Sequence, residues 1–150
     1  MKSMGSGARA EYWLGVMLRV VGVITGLAVV PVVMPWGWIE AVHAEMGLGA
    51  PPRVPVFEYM ARTLSALYAI HGGLCWIVAR DVRRYAPIIT YLIVVGLGFV
   101  PLVLAIDVRA GLPASWYLAE GSAILAMTAP MAVLHWRACR ARAVGLEFRV

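Results

Sequence analysis

A chain of 150 residues is one domain's worth of protein. It is 62% hydrophobic and 14% charged, with mean hydropathy +0.81, whereas a soluble domain carries about 25% charged residues. Too few charges to cover a soluble surface, and too little polar sequence for disorder, leave a bilayer as the solvent. The formal net charge of +5 excludes little by itself. Nucleic acid is not expected as a partner, because no soluble fold is available to present the basic residues.

Hydropathy predicts four spanning helices, each near the roughly 20 apolar residues that a hydrocarbon core requires. The first runs from about Leu14 to Ile39 and carries Arg19 near its start. Gly22 and Gly26 form a GxxxG face, read as packing within the chain or between subunits. A basic start and Val42-His43-Ala44 loosely resemble a signal peptide. The apolar run is too long for one, and its cleavage site too distant, so a retained span is expected.

The longest connection, Pro35 to Val56, opens with the interfacial aromatics Trp36 and Trp38. A short helix over 39–47 is predicted there, stopped by Gly47, Gly49 and the following prolines. It reads either as an amphipathic segment on the membrane surface or as a cap over the bundle. The second span, about Phe57 to Ala79, carries a one-face stripe of Glu58, Arg62, Ser65, Ala69, Gly72 and Trp76. The third, Ala86 to Ile106, has no charge, and a Gly-Pro turn around Gly111 leads to the fourth, Ser115 to Trp136. Pro31, Pro101 and Pro130 each fall inside a span and can kink it.

The fold class expected is all-α: an integral membrane four-helix up-down-up-down bundle forming a single membrane domain over residues 1–150. Basic residues set its orientation. Lys2, Arg9, Arg80, Arg83, Arg84, Arg137, Arg140, Arg142 and Arg149 mark one side, against Arg53 and Arg109 on the other. Both termini are therefore expected in the cytoplasm, and the location expected is the bacterial inner (cytoplasmic) membrane. Arg80, Arg83 and Arg84 are candidates for contact with anionic lipid headgroups at that face.

Charges inside a span must face protein or water. Glu58, Arg62 and Glu120 lie at similar depth, with Asp107, Tyr59 and His43 placed to border them. One Arg fork can satisfy two carboxylates. This polar cluster reads either as a structural ion-pair network or as a site for a ligand, lipid headgroup or proton. His71 and Cys75, an i, i+4 pair, offer two metal or haem ligands at most, and no second histidine lies at that depth, so an interhelical histidine is the expectation. Cys75 and Cys139 are expected as free thiols. No nucleophile set, phosphate loop, CxxC or zinc spacing occurs. No catalytic residue, metal or cofactor is expected, and enzymatic activity is the less favoured reading.

The stretches Glu58-Tyr59-Met60-Ala61-Arg62-Thr63-Leu64-Ser65-Ala66-Leu67-Tyr68, Asp81-Val82-Arg83-Arg84-Tyr85 and Gly111-Leu112-Pro113 through Trp116 to Glu120-Gly121 resemble a family of small, uncharacterised bacterial inner-membrane proteins. More distantly, the layout is similar to the DoxX-like four-helix membrane proteins. The resemblance implies a four-helix bundle and no established activity. The DoxX-like group is linked to redox and thiol metabolism, for which this chain carries no motif. The function expected is that of an accessory or interaction protein, or one that binds a lipid or amphiphile. The alternative is a small carrier or channel-like protein using Glu58, Arg62 and Glu120 for proton or anion, and a third reading is a DoxX-like redox-associated membrane protein. Partners expected are the lipid bilayer and a protein partner or second copy of the chain.

Overall fold

The computed structural model describes residues 5–147, with side chains through 144. Six helices follow one another: α1 (Ser6–Gly26), α2 (Val29–Val33), α3 (Trp36–Glu45), α4 (Pro55–Val78), α5 (Ala86–Ala110) and α6 (Ala114–Glu147). Among the described residues there is no strand.

The boundaries follow from proline and glycine chemistry. Pro31 has no N–H, so the Leu27 carbonyl loses its partner four residues on. The Val30 N–H bonds it instead at 3.0 Å, and the helix breaks at Leu27–Ala28 into α1 and α2. Pro35 then drives Met34 into extended conformation. The expected first span to Ile39 thus ends at Val33, and a separate α3 starts at Trp36. Gly47 and Gly111, at φ 75° and 72°, terminate α3 and α5 in the left-handed conformation that glycine adopts without strain. In both turns the next N–H reaches back to a helix carbonyl, Leu48 to His43 and Leu112 to Asp107, at 3.0 Å. Pro101 and Pro130 sit inside α5 and α6 without ending them.

The long helices alternate in direction, as expected, but chain order is not packing order. α1 packs on both α4 and α6, α5 packs on α6, and α2 continues along α4. The layer therefore reads α4, α1, α6, α5. The turn joining α4 to α5 holds them at one end without an extended interface between them. Close approach of α1 and α4 rests on glycine. A Cβ on Gly72 would stand 2.6 Å from the Gly26 nitrogen and 2.7 Å from the Gly22 oxygen, so the GxxxG face packs within the chain.

All four long helices share one core, from Leu14, Leu18 and Val21 to Cys75, Val78, Ile89, Ile93 and Met131. These residues lie in the half of the molecule nearer both termini. The opposite half, here the far end, holds fewer buried side chains. The chain exposes 10175 Å², against about 7,500 Å² for a compact soluble protein of this mass. Apolar residues such as Ile70, Tyr91, Val94 and Leu118 point outward.

Three helical stretches are long and apolar enough to cross a membrane: Ser6–Val33, Ala86–Ala110 and Ala114–Val144. The expected second span, α4, is 24 residues long but is not among them. Glu58, Arg62 and His71 dilute its hydropathy. The fourth expected span ended at Trp136, whereas α6 runs on to Glu147.

Candidate functional site

Of the six side chains expected to cluster at the far end, five fall in three separate places and Tyr59 joins none of them. The first is Arg62 with Glu58. Arg62 Nε donates to Glu58 Oε1 at 2.9 Å, one turn away on α4. Nη2 also pairs with Glu58 Oε1, at 2.8 Å, and both Nη groups reach backbone. Nη1 donates to the Pro31 and Val32 carbonyls, and Nη2 to the Met34 carbonyl at 3.2 Å. These are the carbonyls that the end of α2 leaves without helical partners. Arg62 is thus a side-chain cap, its cation set at the negative end of a helix. Arg19 does the same at the other end of the layer, donating from Nη2 to the Ala79 carbonyl at the end of α4, 3.1 Å away.

The second group is Asp107 with Glu120. Both stand at the far end of the α5–α6 hairpin: Asp107 precedes the turn at Gly111, and Glu120 lies two turns into α6. Asp107 is 4% exposed, and its Oδ2 is buried without a donor. Neither carboxylate has an ion-pair partner among the described residues.

The third group joins α3 to the start of α4. Glu40 receives Arg53 in a two-pronged bond of 2.7 and 2.8 Å, and the Trp36 indole N–H at 2.8 Å. The Arg53 hydrogen bonds hold the Glu40 carboxyl below its usual range. Trp36 and His43 each meet Phe57 edge-on, at 6.0 and 5.9 Å between centroids. The helix thus folds back on the α4 N-terminus, and His43 reaches Phe57 instead of the carboxylates. Of its expected apolar face only Ile39 is buried, and Val42 and Met46 are exposed. Tyr59 points outward, 67% exposed.

At the termini end, Glu11 of α1 accepts from Arg83 at 2.8 Å and from Arg142 at 3.0 Å. It ties α1 to the α4–α5 turn and to α6. Asp81 Oδ1 accepts the Arg83 and Arg84 N–H groups at 3.1 and 3.0 Å, fixing that turn. Of the three expected headgroup contacts, Arg83 is paired with Glu11. Arg84 lies over the Tyr85 ring at 5.7 Å, and Arg80 is exposed.

A different basic group stands at a cavity. Between the first turns of α1 and the last turns of α6 lies an open groove of about 630 Å³. Arg9, Arg137 and Arg140 line it with Trp13, Trp136 and Leu134, and no acidic residue does. The Arg140 guanidinium stacks over the Trp136 ring at 5.3 Å. Arg9 and Arg137 make no side-chain hydrogen bond with the described residues. Sequence reading used these arginines only to set orientation, because it ended the fourth helix at Trp136. The spacing of Arg137 and Arg140, one helical turn apart, was the available signal. Lys2 and Arg149, counted toward the same charge bias, lie outside the described residues.

Both cysteines are free, Cys75 buried and Cys139 exposed. His71 contacts Cys75 at 3.6 Å. Among the described residues no group of three or more His, Cys, Asp or Glu side chains could hold a metal ion. No family model, curated protein or solved structure matches the chain.

Proposed function

We propose that the chain is a multi-pass protein of the bacterial cytoplasmic membrane that binds an anionic amphiphile at its cytoplasmic face. α4 is its fourth span: 24 residues reach about 36 Å at 1.5 Å per residue, and it lies antiparallel along α1 and α2. Its charged pair is engaged by Arg62 capping, so lipid need not solvate it. The start of α1, the end of α6, the α4–α5 turn and seven arginines (9, 80, 83, 84, 137, 140 and 142) lie at one end, which the positive-inside rule puts in the cytoplasm.

The observation that carries the reading is the groove of Arg9, Arg137 and Arg140. Guanidinium forks match phosphate oxygens. The cytoplasmic leaflet is the anionic one. Trp13 and Trp136 suit the boundary where acyl chain meets headgroup. At about 51 Å, α6 with its 34 residues outlasts a hydrocarbon core of about 30 Å. Its last turns, with Arg137 and Arg140, therefore stand at headgroup level. The carrier alternative built on Glu58, Arg62 and Glu120 loses support, because the Arg62 donors are engaged by helix carbonyls and Glu58.

Native mass spectrometry of the detergent-extracted protein, offered phosphatidylglycerol or phosphatidylcholine, tests this. Wild type should retain phosphatidylglycerol, and the Arg137→Gln/Arg140→Gln variant should lose that preference. Equal retention of both lipids by wild type would overturn the reading.

A further inference from the structure

α3 stands outside the packed layer. It has ten residues and buries a single side chain, Ile39. It makes no extended interface with α1, α4, α5 or α6, so it is not a cap over the bundle. Its hold is confined to the start of α4. Glu40 accepts from Arg53 and from the Trp36 indole, and Trp36 and His43 meet Phe57. A helix this short is marginal in water unless it has a surface on which to bury apolar side chains.

Its polarity is the reverse of a helix that faces water. Glu40, His43 and the Trp36 N–H all turn toward the partners just named. Trp38, Val42 and, at the C-cap, Met46 follow one another at intervals of four and so share one side. All three are exposed, Trp38 by 65%. Further round stand Ala44 and Glu45, both exposed, the part of α3 left to face water.

Placement in the chain says what covers the apolar side. The first apolar stretch, Ser6–Val33, has 28 residues and reaches about 42 Å, past a hydrocarbon core of about 30 Å. Its last turn therefore stands in the headgroup region on the side opposite the arginine groove. Only Met34 and Pro35 separate it from α3, too short a link for α3 to rise clear of the bilayer. Val33 at the end of α2 and Val56 at the start of α4 are exposed as well, which carries the lipid-facing surface of the layer to this level.

We propose that α3 is an interfacial helix that lies along the outer leaflet. Trp38, Val42 and Met46 sit between headgroups and acyl chains, and the Glu40–Arg53 bond holds the opposite side of the helix to α4. The proposal rests on the membrane placement of the spans and is independent of the arginine groove.

Nitroxide labels placed one at a time in full-length Cys139→Ser protein, in lipid nanodiscs, provide the test through power-saturation electron paramagnetic resonance. The label sites are Val42→Cys, Ala44→Cys and, as a reporter of the span α5, the exposed Val94→Cys. Labels at Val42 and Val94 should meet dissolved oxygen more than a water-soluble nickel chelate, and the label at Ala44 should show the reverse. With Val94 in lipid, a Val42 label as open to the chelate as the Ala44 label overturns the proposal alone. So does a Val42 label shielded from both reagents, which would put a second copy or another protein on this side. A Val94 label open to the chelate overturns the proposal together with the membrane placement.

Discussion

At the residue scale, the two arginines inside the helical layer serve the same purpose. A guanidinium is costly in lipid, and helix C-termini are the places where carbonyls want donors. Arg62 answers α2 and Arg19 answers α4. Removing Arg62 therefore strips three carbonyls of their donor, whereas removing Glu58 breaks one helical i, i+4 pair whose carboxylate is about half exposed. Arg62→Gln should lower stability by about 2–3 kcal/mol, against about 0.5 kcal/mol or less for Glu58→Gln. Thermal unfolding of the purified variants in detergent measures both, and equal losses would return Arg62 to a plain ion pair. The Glu58–Arg62 contact was legible in the spacing of the two residues. The carbonyl partners were not, because backbone groups carry no sequence signature and the break at Pro31 had to be known first. Grouping Glu120 with Arg62 by depth also overlooked where the guanidinium goes: its donors are engaged by Glu58 and the carbonyls at the end of α2.

At the element scale, glycine position decides how α1 and α4 meet. Gly72 faces backbone that cannot move aside, while a Cβ on the adjacent Gly73 would meet nothing within 4 Å. Gly72→Ala should cost about 1–3 kcal/mol through forced separation of the helices. Gly73→Ala should be neutral or stabilising by up to about 1 kcal/mol, since alanine favours helix. Unfolding midpoints of the two variants separate the effects, and similar values for both would contradict the close packing. The GxxxG pattern made this interface readable in advance. The layer order was not readable, because short turns constrain direction without specifying which faces pack. α6 shows a related limit. Its apolar stretch ends near Trp136 while the helix continues, since basic side chains with long alkyl stems sustain helix as well as apolar ones do. That continuation brings Arg137 and Arg140 to the groove.

At the scale of the whole molecule, scarcity of charge and placement of charge say different things. The first accounts for the open, apolar-faced layer. The second divides it into an arginine-rich end, with the start of α1, the end of α6 and the groove, and an end with Glu40, Glu45, Glu58, Asp107 and Glu120. The arginine-rich and acidic ends lie on opposite sides only if α4, α5 and α6 all cross the bilayer. Cys139, exposed beside the groove, reports one side, and a cysteine replacing the exposed Tyr59 reports the other. An impermeant thiol reagent applied outside intact bacterial cells measures both. The account predicts that Cys139 is protected in cells and labelled in inverted vesicles. It predicts that Tyr59→Cys, in a Cys139→Ser background, is labelled from outside. Labelling of Cys139 in intact cells, or the same pattern at both positions, would contradict four spans with a cytoplasmic arginine groove.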